Sequence, residues 1–167
     1  MGLVLRAVQV AGHHRWRWLL VDESSGTPLA DHRVELDPES AEVEAFAELY
    51  RFLRWRADPD RRVASEAELL SRIGAWIGSV ALGERIGRAI VSAAPVTVRV
   101  QVPDGAEFLA FRPWELAHVD GVPLAARGDV ALVYDLAGAS QAKVPVDAAL
   151  RMLVVFWTVP DLVDTRS

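Results

Sequence analysis

Hydrophobic positions change period along this chain, and the changes mark its elements. Leu3 to Val10 alternates in part, and Trp16 to Val21 is apolar and rich in β-formers. The short Gly12-His13-His14 turn between them predicts a β-hairpin over residues 3–22. A second turn at Glu23–Pro28 leads into a third strand over His32–Leu36. Val43, Phe46, Ala47, Leu49, Tyr50 and Leu53 then recur at helical spacing, predicting one helix over about 38–56. Asp37-Pro38 supplies its start, because Asp can cap free amides and Pro tolerates the first helical position.

Leu69, Ile73, Trp76, Ile77 and Val80 form the next apolar face, opened by a Ser65-Glu66-Ala67-Glu68 capping box. Glycines at 74, 78, 83 and 87 interrupt this pattern. Each costs about 1 kcal/mol in a helix interior, so four of them imply a break or a close backbone approach. The expected division is two helices, about 65–79 and 83–93, separated near Ala81-Leu82-Gly83. From Pro95 the period falls to two. Val96, Val98, Val100 and Val102 alternate with Thr97, Arg99 and Gln101, as in a half-buried strand.

Residues 108–136 are the most distinctive stretch. They read as a short strand at Phe108–Phe111, an Arg112-Pro113-Trp114-Glu115-Leu116 corner, a tight Asp120-Gly121 hairpin and a strand at 130–136. A linker without apolar periodicity covers 137–148, and Leu150–Trp157 is a near-continuous apolar run of the kind found in strands covered on both faces. The fold class is therefore α+β: an N-terminal β-hairpin, two or three helices and a mixed sheet. The expected regions are 1–64, 65–148 and 149–167.

Composition narrows the setting. With 51% hydrophobic and 25% charged residues the chain has the make-up of a globular protein. It contains no cysteine, which removes disulfides, thiolate metal sites and a cysteine nucleophile from these residues. The net charge of -5 and a single lysine, Lys143, argue against a phosphate-tracking surface. Arg15, Arg17, Arg51, Arg54, Arg56, Arg61 and Arg62 do gather in sequence around Trp16, Trp18 and Trp55. An ion-paired surface is the expectation for the arginines, with no nucleic-acid partner. No stretch reaches the ~20 apolar residues of a membrane span, and the N-terminus has no secretory pattern, so a cytoplasmic setting is expected.

A search for chemistry returns little. There is no phosphate loop, dinucleotide fingerprint or nucleophile elbow. His13-His14 would need Asp22 or Asp31 as a further metal ligand and reads better as an exposed turn. His118 reads as a structural imidazole. No catalytic residue, metal or cofactor is expected. In the corner, Pro113 sets the backbone, Trp114 offers a large ring to the core, and Glu115 is expected to accept backbone amides from a neighbouring loop.

The order of these parts resembles the N-terminal part of a CHAT domain, a caspase-like and separase-like domain of bacterial proteins. The resemblance covers about residues 65–160 and is carried by Leu69–Ala93, the 96–102 strand, the Arg112-Pro113-Trp114-Glu115-Leu116 corner, the hairpin with Leu124 and Ala125, the Val130–Tyr134 strand, a Pro-bearing linker and the Leu150–Val155 run. It implies that 150–157 is the first strand of a caspase-type parallel sheet, and that the peptidase His and Cys follow later strands, beyond these residues. The implied role is a non-catalytic scaffold packed against the rest of its own CHAT domain. A different expectation follows from Trp16, Trp18 and Trp55 with their arginines, which have the composition of a protein-interaction surface.

Overall fold

A computed structural model describes residues 2–136. The chain opens with three strands, β1 (Gly2–Val8), β2 (Arg15–Asp22) and β3 (Pro28–Glu35). Helices α1 (Ala41–Ala47) and α2 (Leu49–Arg56) follow. A longer helical run comprises α3 (Arg62–Trp76), a π-helical segment over Ile77–Gly83 and α4 (Glu84–Ser92). Strand β4 (Val96–Val102) leads to the corner region, the two-residue strands β5 (His118–Val119) and β6 (Val122–Pro123), and finally β7 (Val130–Leu136).

Five strands form one mixed sheet in the order β3-β2-β1-β4-β7. β1 pairs antiparallel with β2 and parallel with β4, and β4 pairs parallel with β7. The pairing of Leu3 with Val98 therefore joins the first residues to the middle of the chain.

The period of two decides which face is core. Leu3, Leu5, Ala7, Trp16, Trp18, Leu20, Ala30, Val34 and the four valines of β4 all point to the helical side and are buried. The opposite face carries Arg6, Arg17, Asp31, Arg99 and Gln101, linked by pairs such as Arg17–Asp31 at 2.7 Å and Arg99–Glu23 at 3.2 Å. Such exposed pairs contribute at most about 1 kcal/mol each, so the helical side supplies the stability.

Several local expectations are corrected. The helix expected over 38–56 is two helices, divided at Glu48 (φ -140°, ψ 61°). Its cap is not Asp37 but Ser40, whose hydroxyl accepts from the Val43 amide at 3.2 Å. The Ser65 capping box does not form, because α3 already begins at Arg62 and Ser65 Oγ instead accepts from the Asp58 amide at 3.0 Å. Phe108–Phe111 is not a strand but part of a 3-10 turn over Glu107–Phe111, a short apolar run whose period cannot separate the two. The third strand starts earlier than expected, at Pro28. Leu150–Trp157, the expected completing strand, lies outside the described residues.

The long helical run changes direction at Gly83, as expected for this region, where φ is +91° and only glycine is comfortable. Trp18 Nε1 donates to the Ala81 carbonyl at 2.9 Å, and His32 Nε2 lies 2.8 Å from the Val80 carbonyl. Strands β2 and β3 thus hold the π segment by its backbone. Two other glycines serve proximity. A Cβ at Gly74 would sit 2.5 Å from the Leu116 carbonyl, and one at Gly78 would collide with the His118 backbone. Strand β5 lies directly on the helix.

Gly78→Ala should therefore lower stability by about 1–3 kcal/mol in urea unfolding, despite alanine's better helix propensity. Gly128→Ala, where a Cβ would meet nothing within 4 Å, should change it by less than about 0.5 kcal/mol. Equal effects at the two sites would show that the close approach is not needed.

Candidate functional site

The Arg112–Leu116 corner is built on aromatic packing. Trp114 opens a 3-10 turn over Trp114–Leu116 and is only 3% exposed. Its ring meets Trp18 edge to face at 5.2 Å, Phe46 at 5.0 Å and Trp16 at 6.5 Å. Such edge-on arrangements suit the ring quadrupoles. The indole N–H donates to the Leu109 carbonyl at 2.6 Å, which closes the turn beneath it.

Arg112 enters the same cluster from outside. Its guanidinium lies 5.5 Å from the Phe46 ring and 5.6 Å from the Phe108 ring, and Nη1 donates to the Ala47 carbonyl at 2.9 Å. Burial lowers its pKa, and the charge of Glu48 opposes that shift. Arg112 thereby ties the corner to the end of α1, a role its position before Pro113 does not announce.

Glu115 behaves differently from the expectation. It is exposed and accepts no backbone amide among the described residues. Its charge instead acts on Tyr134 of β7. The Tyr134 phenol is pushed up to about 12, first by burial and second by Glu115. Leu116, partly buried, completes the corner by bringing its carbonyl against Gly74.

After the corner, the Leu124 amide donates to the Ala117 carbonyl at 3.0 Å, and Arg127 Nη2 donates to the Val119 carbonyl at 2.7 Å. Asp120 and Gly121 both have positive φ, +52° and +78°, as the expected two-residue turn requires. Beside this hairpin is a cleft of about 440 Å³ lined by Ser79, Glu84, Arg88, His118 and Asp120. Ser79 Oγ donates back to the Ala75 carbonyl at 2.9 Å, and Glu84 pairs with Arg88 at 2.9 Å. No hydroxyl–imidazole pair forms there. A second cleft of about 360 Å³ runs beside β7, between Glu115, Leu124, Leu132 and Tyr134.

The remaining candidates separate. Trp16 and Trp18 are core residues, 1% and 0% exposed, so they cannot form a surface with their flanking arginines. Strand alternation explains the misreading: Arg15 and Arg17 point away from the face that Trp16 and Trp18 fill. Trp55 is 74% exposed, and Tyr50 on the same helix is also exposed. Arg15, Arg17, Arg56, Arg61 and Arg62 face carboxylates, whereas Arg51 and Arg54 have no ion-pair partner among the described residues. His13 stacks on Phe108 at 4.4 Å. Asp22 sits at the far end of β2, held by Ser24 and Ser25, and Asp31 is taken by Arg17, so neither joins the histidines. Among the described residues, no group of three or more His, Cys, Asp or Glu is placed to hold a metal, and no helix is long and apolar enough to cross a membrane.

No protein-family model matches the chain, and no curated protein or solved structure matches it.

Two outcomes follow from the packing. Trp18→Phe breaks a buried hydrogen bond, whereas Trp16 Nε1 is buried without a partner among the described residues. Trp18→Phe should therefore cost about 1–2 kcal/mol more than Trp16→Phe in denaturant unfolding. For Tyr134, the unfolded phenol loses its proton near pH 10 and the folded one near 12. Its contribution to stability is intact below pH 10 and declines as pH rises towards 12. The chain has two tyrosines, so Tyr50→Phe isolates Tyr134 in a tyrosinate absorbance titration. Adding Glu115→Gln should move that step to lower pH.

Proposed function

We propose that the chain is the non-catalytic N-terminal scaffold of a CHAT-type cysteine peptidase, acting in the cytoplasm of a bacterium as part of a signalling or conflict system. The observation that carries this reading is the order of parts around Trp114. A helical unit, a half-buried strand, an Arg-Pro-Trp-Glu-Leu corner, an Asp-Gly hairpin and a further strand precede an apolar run.

The geometry of the corner supports a structural role for it. The Trp114 indole N–H and one Arg112 N–H donate to the carbonyls of Leu109 and Ala47, so both side chains tie the corner to its neighbours. The histidine and cysteine that such a peptidase needs belong to later strands. The scaffold would bear on the catalytic half through its packing, holding it in place and helping to gate it.

A second reading is favoured by one observation. Helix α2 presents Tyr50 and Trp55, 77% and 74% exposed, together with Arg51 and Arg54. Aromatic and arginine side chains dominate interface hot spots, so this face suits a protein partner. In that case Trp55→Ala would abolish partner binding while leaving the unfolding midpoint unchanged.

The peptidase reading is tested in the gene. The reading frame should continue past the Ser167 codon and encode a His after one apolar strand and a Cys after the next. A stop codon directly after Ser167 overturns it.

A further inference from the structure

Charge is spread unevenly along this chain. Residues 51–62 hold five arginines and two aspartates, a local charge of +3, so the other residues together carry -8 against the net of -5. Helix α2 contributes Arg51, Arg54 and Arg56 to that stretch and contains no carboxylate. The helix dipole favours Arg54 and Arg56, which stand in its last turn, but works against Arg51 near its start. Arg56 is answered by Glu44 at 3.5 Å. Arg51 and Arg54 have no ion-pair partner among the described residues.

Helical spacing sets these two arginines between two aromatic rings. At about 100° per residue, Tyr50, Arg54, Arg51 and Trp55 follow one another around the helix within an arc of about 140°. Phe52, the buried residue of α2, falls outside that arc. Tyr50 with Arg54, and Arg51 with Trp55, are neighbours at i and i+4. All four side chains are exposed. The Arg54 guanidinium lies 5.9 Å from the centre of the Trp55 ring, which keeps the cation beside apolar surface. The core contacts of α2 are made by Leu49, Phe52 and Leu53, so the fold has no use for this face. Arg85 of α4 gives the contrast. It is also exposed and without an ion-pair partner among the described residues, yet no aromatic residue lies within four positions of it.

From this arrangement we infer that the outer face of α2 docks an acidic segment of a partner protein, in which carboxylates alternate with apolar side chains. This rests on the reading of α2 as an interface and adds the chemistry of what that interface takes. Each guanidinium can hold a carboxylate through two parallel N–H bonds. The rings on either side offer rigid apolar area to leucine-like or phenylalanine-like groups. A nucleic acid is also anionic and stacks on rings, but its charge extends beyond so small a patch, along a chain whose other residues carry -8. A short acidic segment confines its charge to the two arginines.

A random peptide library, selected on the full chain and counter-selected on its Trp55→Ala variant, tests both levels. The peptides that require Trp55 should be enriched in aspartate and glutamate beside leucine or an aromatic residue. A labelled peptide from that set should bind about tenfold or more weakly to the chain carrying Arg51→Glu with Arg54→Glu, and should be released as salt is raised. Arg85→Glu should leave its affinity unchanged. All these positions are exposed, so the urea midpoints should stay with that of the unaltered chain and separate lost binding from lost folding.

Peptides that require Trp55 but show no acidic enrichment overturn the acidic assignment and leave α2 an interface. So does an affinity that ignores Arg51→Glu with Arg54→Glu, or that falls equally with Arg85→Glu. A single-stranded oligonucleotide that binds more tightly than the peptides and displaces them also overturns it, since a nucleic acid would then be the occupant. The absence of any peptide that requires Trp55 overturns both the acidic assignment and the interface.

Discussion

Between the helical run of α3 and the π segment on one side and Leu116–Val119 on the other there is room for backbone and little else. The hairpin lies on the helix because residues 74 and 78 lack side chains, and a Cβ at either would meet the Leu116 carbonyl or the His118 backbone. That contact fixes where the preceding corner must be. Trp114, two residues before Leu116, is thereby held against Trp18 and Phe46, and through them against the sheet. Trp18 then reaches back to the helical run through the Ala81 carbonyl. Helix, corner and sheet form a closed loop of contacts, and the loop closes only at this short distance.

The same closeness explains why the corner holds the fold together and makes no assembled chemical site. Its side-chain donors are directed inward, Trp114 to the Leu109 carbonyl and Arg112 to the Ala47 carbonyl. A partly buried arginine between two aromatic rings is costly unless its N–H groups are satisfied, and the carbonyl at the end of α1 does part of that. Glu115 is exposed, and its charge adds to burial, the larger cause, in raising the pKa of Tyr134.

Misreadings of the sequence cluster where one residue pattern serves two structures. Phe108–Phe111 is too short for its period to separate strand from turn. Trp16 and Trp18 between arginines have the composition of an interface and the alternation of a half-buried strand; only the second holds, because the aromatic members of the alternation face the helices. The helix over 38–56 is continuous in spacing yet breaks at Glu48, so that α1 and α2 follow the core separately.

The sequence by itself determined the α+β class, the half-buried strand at 96–102, the break at Gly83, the Asp120-Gly121 turn and the identity of the corner. Each is set by local physics: side-chain period, permitted φ, or the loss of an amide at proline. Tertiary structure decided the rest. Which of two readings the glycines at 74 and 78 carried, that β1 joins β4 across more than half the chain, and that Arg112 ties the corner to the end of α1 while Glu115 stays exposed all depend on what approaches from distant residues. A periodicity states that one face is buried; only the packed chain states against what.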